Sequence, residues 1–251
     1  MIDLRGRRAV VTGGSRGIGA AVVRALAACG ADVLVGYRAR GEDADAVAAD
    51  ARSVGVRAES CSADLSTRDG VRGLFARARE ALGGVDILVA NAGVWPSEDV
   101  PVERLDDERW LRTMRENVDS MFYCAREAAR VMGDGGRIVM ISSTAGQRGE
   151  AFHADYAASK GAMISFVKSL AVELGPRGIT VNSVAPGWVD TEMTADAMAS
   201  GGRERIAATI PVGRVASPDD IAFPVVCLCA PQARHVTGEI LNVNGGSVLC
   251  G

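Results

Sequence analysis

The amino-acid sequence predicts an α/β protein in which a doubly wound, seven-stranded parallel sheet forms one domain over residues 1–251. Seven short runs of apolar and β-branched residues alternate with longer, Ala-rich segments of helical pattern. The runs are apolar without alternation, as expected for parallel strands covered on both faces. Right-handed crossovers between such strands then place helices on both sides of the sheet.

The predicted strands lie at residues 8–12, 32–36, 56–61, 86–91, 137–143, 179–185 and 239–243. Helices are predicted between them near residues 17–29, 42–54, 67–82, 104–132, 155–174 and 218–230. No repeat or break in composition interrupts this alternation, so we expect a single domain. Residues 187–216 have neither pattern, and an irregular stretch of that length predicts a lid or binding loop over the substrate.

Composition argues against several kinds of partner. The net charge is −3 and no basic run occurs, so we expect neither nucleic acid nor an anionic membrane surface as a partner. No secretory signal is visible, and the apolar stretch at 221–231 is too short to span a bilayer, so we expect a cytoplasmic protein. The six cysteines lack C-x-x-C spacing, which predicts reduced thiols and no metal site.

A glycine-rich turn follows the first predicted strand. Gly13, Gly17 and Gly19 form the pattern G-x-x-x-G-x-G directly before the first predicted helix. Small residues there let backbone N–H groups approach a pyrophosphate at the helix N-terminus. The turn therefore predicts a dinucleotide site.

The end of the second strand indicates which dinucleotide. NAD-binding folds usually place Asp or Glu there to bind the ribose 2′-hydroxyl, whereas this chain has Tyr37 and Arg38. Arg38 and Arg16 would present two guanidinium groups to a 2′-phosphate, which predicts NADP, with NADPH preferred over NADH. The alternative interpretation is that both arginines are solvated surface charges.

Seven motifs, in order, resemble those of the short-chain dehydrogenase/reductase family over essentially the whole chain. They are TGGSRGIG (12–19), NAG (91–93), EN ending at Asn117, ISS ending at Ser143, YAASK (156–160), APG (185–187) with Thr191, and VTGEILNVNGG (236–246). The resemblance implies a Rossmann-type fold and an NAD(P)-dependent oxidoreductase that interconverts a ketone and a secondary alcohol.

The resemblance also implies residue roles. Tyr156 would be the general acid/base and Lys160 its activator, while Ser143 would polarise the carbonyl and Asn117 would hold a water in a proton relay. Ser143, not Ser142, has the family's thirteen-residue spacing to the tyrosine. With the glycine turn, the implied cofactor-binding residues are Gly13, Ser15, Arg16, Gly17, Ile18, Gly19, Tyr37, Arg38, Asp64, Leu65, Asn91, Ala92, Gly93, Tyr156, Lys160, Pro186, Gly187, Val189 and Thr191.

The spacing of Tyr156 and Lys160 suits this chemistry. Residues four apart share one helical face, and only two of the 28 Lys and Arg residues are lysine. A free tyrosine has a pKa of about 10, so we expect the ammonium to lower the pKa of Tyr156 towards neutrality. The alternative, a non-catalytic dinucleotide-binding sensor or scaffold, would not need this pair.

The substrate is less defined. The chain resembles 3-oxoacyl-carrier-protein reductases and glucose-dehydrogenase-like members, so a 3-oxoacyl thioester or a polyol-type alcohol is expected. Asp134 stands where the former often carry a cation, which argues against a carrier protein as partner. The residues expected to shape the pocket are Trp95, Glu150, Phe152, His153, Trp188 and Met193, with His153 expected in solvent at a helix start.

The predicted helix 155–174 is apolar on almost every side. Such a helix needs cover on more than one face, which predicts a homo-oligomer, and the family resemblance suggests a tetramer. The alternative is that loops of the same chain cover it.

Overall fold

The computed structural model describes residues 2–249 of the chain. Its core is one all-parallel sheet of seven strands in the order β3-β2-β1-β4-β5-β6-β7, which confirms the predicted fold class. The strands are β1 (Arg8–Thr12), β2 (Asp32–Tyr37), β3 (Ala58–Ser62), β4 (Ile87–Ala90), β5 (Arg137–Ile141), β6 (Thr180–Pro186) and β7 (Ile240–Val243).

Helices cover both faces of the sheet. They are α1 (Gly17–Ala28), α2 (Gly41–Ser53), α3 (Arg68–Leu82), α4 (Asp107–Met114), α5 (Ser120–Val131), α6 (Thr144–Arg148), α7 (Ala154–Leu174), α8 (Ala195–Met198), α9 (Gly202–Ala208) and α10 (Pro218–Cys229). One apolar core joins the sheet to α1, α2 and α10, and a second joins it to α3, α5 and α7. The two cores explain why the central strands are apolar along their whole length.

Strand pairing determines where a ligand can bind. β1 lies between β2 and β4, with Val10 level with Leu34 on one side and Leu88 on the other. The chain therefore winds outwards in both directions from β1. A crevice forms at the carboxyl ends of the strands at such a reversal, and ligands of open α/β sheets bind there.

The predicted helix at 104–132 is interrupted. A π-helical segment, Arg115–Asp119, separates α4 from α5. Its backbone carries Asn117, which is fully buried. Single-turn π segments inside helices occur frequently at functional sites.

The stretch at 187–216 is more regular than its sequence suggested. It contains a 3₁₀ turn at Glu192–Thr194 and the short helices α8 and α9. A bridge between Val189 and Ala216 joins its two ends. Helices of four to seven residues are too short to give a periodic apolar pattern, so the sequence did not reveal them.

Within residues 2–249, no helix combines the length and apolarity needed to cross a membrane. In the same described part of the chain, no group of three His, Cys, Asp or Glu side chains is arranged to hold a metal ion.

Candidate active site

The glycine turn and the start of α1 form one end of a cleft of about 410 Å³ at the carboxyl ends of the strands. Gly13 has a φ of +63°, a conformation that other residues rarely adopt. A Cβ on Gly19 would lie 2.2 Å from the carbonyl oxygen of Gly13. Glycine is therefore required at both positions for the turn to pack this tightly.

Asn91, at the end of β4, fastens this turn. Its Nδ2 donates to the carbonyls of Thr12 and Gly13, at 3.0 and 3.1 Å. The Thr12 hydroxyl accepts from the backbone N–H groups of Asn91 and Ala92, both at 3.0 Å. The turn is thus held rigidly against the neighbouring strand, which leaves the N-terminus of α1 facing the cleft.

Ser143, Tyr156 and Lys160 meet at the floor of the cleft. Ser143 follows β5 and forms the N-cap of α6, whereas Tyr156 and Lys160 lie one turn apart in α7. Ser143 forms a hydrogen bond with the Tyr156 hydroxyl. The neighbouring Ser142 hydroxyl instead donates to the carbonyl of Val184, at 3.1 Å.

Burial moves the pKa values of both α7 residues. It raises the pKa of Tyr156 to about 12, against an opposing hydrogen bond from Ser143, and the nearby Glu150 carboxylate raises it further. Burial also lowers the pKa of Lys160 to about 8. Our expectation that the ammonium lowers the tyrosine pKa is wrong for this structure. Lys160 Nζ donates to the carbonyl of Ile141 at 2.8 Å and lies 5.7 Å from the Tyr156 ring centre.

Asn117 lies behind this group. Its Nδ2 donates to the carbonyl of Val94 and to the Ser159 hydroxyl, both at 2.9 Å, and its Oδ1 accepts from the Val94 N–H at 2.7 Å. Both amide hydrogens are therefore used within the protein. Asn117 joins the π segment to α7 and to the strand-end loop.

Charged residues surround the other end of the cleft, beyond β2. Arg38 Nη1 lies 3.1 Å from the Glu116 carboxylate. Arg16 forms an ion pair with Glu192, and Arg40 Nη2 lies 2.7 Å from the same carboxylate. The two predicted arginines are joined by a third, and all three have carboxylate partners in the protein.

Two tryptophans, Trp95 and Trp188, also line the cleft. Trp95 stacks on His153 with ring centres 4.9 Å apart and meets Trp188 edge-on at 5.9 Å. His153 is only 3% exposed, so its predicted position in solvent is wrong. Its partner Trp95 is distant in the sequence, and no local pattern predicts the stacking.

Most predicted residues line this cleft. The exceptions are Ser15, Gly19 and Asn117 among the site residues, and Phe152 and His153 among the expected pocket residues. Arg40, Glu116 and Glu192 line it and were not predicted. Arg40 had a usable signal, because it follows Arg38 two residues later in the same loop, and Glu116 precedes Asn117 in the EN motif. Nothing in the sequence marked Glu192.

Comparisons with known proteins agree with this geometry. Residues 13–247 match a family model described as enoyl-(acyl carrier protein) reductase. The chain is 37% identical to a 3-oxoacyl-[acyl-carrier-protein] reductase of Aquifex aeolicus, over 98% of each chain. It is 41% identical to nodulation protein G of a Rhizobium species, over 99% of this chain and all of the relative. A Burkholderia cenocepacia short chain dehydrogenase solved with NADP is 40% identical, with a TM-score of 0.92 over 97% of this chain and 98% of the other.

The fold, the cleft and these relatives define an NAD(P)-dependent oxidoreductase that acts on small molecules. The chain belongs to the short-chain dehydrogenase/reductase family.

Proposed function

We propose that this protein is an NADP(H)-dependent reductase of ketones, which also oxidises the corresponding secondary alcohols, with Tyr156 as its general acid/base. One observation carries the proposal: Ser143, Tyr156 and Lys160 line the same cleft as the glycine turn and the N-terminus of α1, where a dinucleotide would bind. A non-catalytic dinucleotide-binding protein would need only the glycine turn and the N-terminus of α1. Turnover of any ketone with NADPH by the purified protein separates these alternatives.

A nicotinamide cofactor bound in the cleft would supply a hydride to the carbonyl carbon of a ketone, or would accept one from the carbinol carbon of an alcohol. The carbonyl oxygen then needs a proton, which Tyr156 can supply because its hydroxyl is protonated at neutral pH, with a pKa of about 12. The Ser143 hydroxyl has a single hydrogen, which it shares with the tyrosine in the free protein and would redirect to the substrate oxygen. Lys160 remains charged at pH 7, with a pKa of about 8. Its ammonium would favour the phenolate that remains after proton transfer, an attraction that burial outweighs in the pKa of Tyr156 in the free protein.

Proton return to Tyr156 involves Asn117 only indirectly. Both of its amide hydrogens are used within the protein. A relay water next to it would therefore have to donate to an acceptor rather than receive a hydrogen bond from the amide. We propose that Asn117 fixes the π segment and α7 so that such a water has a defined place.

The residues present suit a dinucleotide. The first turn of α1 contains no acidic residue, and its N-cap Arg16 makes no side-chain capping bond. The N–H groups at this helix end are thus suited to an anion. Gly13, Gly17 and Asn91 would hold the pyrophosphate side, whereas Arg16, Arg38 and Arg40 would meet a 2′-phosphate.

NADPH preference gives a direct prediction. Replacing Arg38 with alanine should weaken the binding of NADPH about 10- to 100-fold and change the binding of NADH little. The reason is that a hydrogen bond to a charged group contributes about 1.5–3 kcal/mol. Tyr37→Asp should shift preference further towards NADH, because the carboxylate repels a phosphate and accepts from a ribose hydroxyl. The measurement is kcat/KM for both cofactors in each variant.

Arg24→Ala is the matched control. Arg24 is an exposed arginine of α1 that pairs with Asp50, away from the cleft. The proposal would be contradicted if wild type had equal kcat/KM for NADPH and NADH, or if Arg38→Ala lowered kcat/KM equally for both cofactors. Arg16 and Arg38 would then be surface charges only.

For the substrate, the relatives support a 3-oxoacyl thioester, whereas the contacts of Arg177 argue against presentation by a carrier protein. Arg177 is the cation nearest to Asp134, at 3.6 Å, and it is engaged within the protein. Its Nη1 donates to the carbonyl of Ala129 at 2.6 Å, and its Nη2 donates to that of Met132. An acidic carrier protein would have to compete with these contacts. A polyol-type alcohol remains the alternative substrate.

We further propose a homo-oligomer, in the form of a tetramer, assembled through α5 and α7. Phe122 of α5 is 38% exposed and contacts Phe166 of α7, while Val172 of α7 is 79% exposed. Exposed apolar side chains on adjacent helices favour association. Light scattering at micromolar concentration should give four times the 26.1-kDa mass of one chain. The mass of one chain would contradict the assembly.

We also propose a cytoplasmic location. Among residues 2–249, all five cysteines are unpaired, which suits a reducing compartment.

A further inference from the structure

The acidic residues of the cleft differ in their partners. Glu116 is paired with Arg38, and Glu192 with Arg16 and Arg40. Glu150 also lines the cleft, yet no Lys or Arg of residues 2–249 forms an ion pair with it. Its side chain is 23% exposed. Its ion-pair neighbour in the described part of the chain is His153, which is charged only when protonated. A half-buried carboxylate without a permanently charged partner is costly, so its surroundings can indicate what it binds.

The groups around Glu150 are aromatic. Trp95 Nε1 donates to its Oε1 at 3.3 Å, and His153 Nδ1 lies 3.8 Å from the same oxygen. His153 is buried beneath Trp95, with the two rings inclined by only 19°, so the indole is held in place. Trp188 stands at 85° to Trp95. Two indole rings and one carboxylate thus lie together at the substrate end of the cleft.

This arrangement has the chemistry of an ammonium subsite. The faces of indole rings attract cations, and the attraction increases when water is excluded. A carboxylate adds a charge-assisted hydrogen bond to an N–H of the same cation. A neutral polyol of the same size could donate hydrogen bonds to the carboxylate but would gain neither the cation–π nor the charge–charge attraction, and an anionic substrate is repelled by Glu150.

We propose that Glu150, Trp95 and Trp188 bind a positively charged substrate group, so that the preferred substrate is a ketone, or its alcohol, that carries an amine. This inference rests on the proposed ketone reductase activity and narrows its substrate class. An amine-bearing ketone would take the place of the 3-oxoacyl thioester and the polyol-type alcohol as the preferred substrate, because neither of these carries a positive charge near the reacting carbon.

The charges around Glu150 determine its ionisation in the free protein. Burial raises the pKa of Glu150, and Asp99 adds to the rise, whereas His153, the Trp95 hydrogen bond and Arg148 oppose it. Arg148 is exposed at the rim of the cleft. A substrate ammonium would lower this pKa and stabilise the carboxylate in its charged form.

The test uses ketones of matched shape. The first is 4-(dimethylamino)butan-2-one, an ammonium at pH 7, and the second is 5-methylhexan-2-one, which replaces the nitrogen by carbon. Calorimetric binding to the NADP⁺-loaded protein should favour the amine by at least about tenfold, as expected for a partly desolvated cation–π contact with a charged hydrogen bond. The anion 4-oxopentanoate should bind most weakly. The amine should also give the highest kcat/KM with NADPH.

Two variants identify the residue responsible. In Glu150→Gln, the affinity for the amine divided by the affinity for its carbon isostere should fall towards one. Asp99→Asn should keep the wild-type ratio, because Asp99 lies within 3.8 Å of His153 Nδ1 but does not line the cleft. If Glu150→Gln does not fold, the affinities of the wild-type protein for the three ketones still test whether the ammonium subsite exists.

The outcomes separate the two proposals. Equal binding of amine and isostere to the wild type, or a ratio unchanged by Glu150→Gln, overturns the ammonium subsite even if both ketones are reduced. Selective binding of the amine without reduction of any ketone supports the subsite and overturns the proposed activity.

Discussion

Replacing Tyr156 with phenylalanine should lower ketone reduction by about 10²- to 10⁴-fold, the usual contribution of a general acid or base. The change removes one hydroxyl and leaves the ring in place at the cleft floor. In wild type this hydroxyl shares a hydrogen bond with Ser143 and lies in a buried environment that keeps it protonated at neutral pH. The fold and cofactor binding should be preserved, because the glycine turn and Asn91 are untouched. Rates are measured at saturating NADPH, with cofactor affinity determined separately by fluorescence.

Tyr123→Phe is the matched control for this prediction. Tyr123 lies in α5, is half-buried and does not line the cleft. It should keep wild-type activity. Retention of more than about a tenth of the wild-type rate by Tyr156→Phe, where loss of the acid predicts at least a hundredfold drop, would show that another group donates the proton.

Replacing Arg109 with methionine should lower the free energy of unfolding by about 3–5 kcal/mol, the range for breaking a buried ion pair. Arg109 is 8% exposed and its partner Asp155 is 0% exposed. Arg109 Nε donates to Asp155 Oδ2 at 3.2 Å, and Thr113 Oγ1 donates to the same oxygen at 2.8 Å. These contacts fasten α4 to the first turn of α7, directly before Tyr156. Urea unfolding at one fixed protein concentration measures the loss.

The pH dependence of this loss follows from the carboxyl. Burial opposes the ionisation of Asp155, but hydrogen bonds from Arg109 and Thr113 outweigh it and lower the pKa of that carboxyl. The pair therefore stabilises wild type above the unfolded pKa of about 3.9. In the variant the unpaired carboxyl should bind a proton at higher pH than usual. The free energies of unfolding of wild type and Arg109→Met should thus differ most near pH 7, and the difference should become smaller as the pH falls towards about 4.

Arg112→Met supplies the comparison on the same helix. Arg112 is exposed, and its removal should change stability by no more than about 0.5 kcal/mol. A loss of similar size in both variants, or one independent of pH, would mean that the buried pair is not what holds α4 to α7.

Much of the fold could be predicted because buried parallel strands have a simple signal. β5 is buried at every residue, and its sequence, RIVMI, is almost continuously apolar. The glycine turn could also be predicted from the sequence, because its pattern reflects the backbone geometry at Gly13 and the close packing at Gly19. Such features depend on neighbours within a few residues, and sequence reasoning is reliable for them.

The features that were missed depend on contacts between distant parts of the chain. Arg16 and Glu192 are 176 positions apart, and no local pattern indicates that they pair. His153 is buried and stacks on Trp95, a residue 58 positions earlier in the chain. The pKa of Tyr156 is governed by burial within the complete fold, so the helical spacing to Lys160 predicted a shift in the wrong direction.

Isotope transfer from the cofactor tests the central claim most directly. NADPH with both hydrogens at C4 of the nicotinamide replaced by deuterium is incubated with the protein and a ketone, and the product is analysed by mass spectrometry and NMR. If the protein is a ketone reductase, the product is a secondary alcohol with one deuterium on the carbinol carbon and an exchangeable hydroxyl hydrogen. No alcohol from any ketone of a broad panel, or an alcohol without deuterium on that carbon, would contradict the proposed hydride transfer.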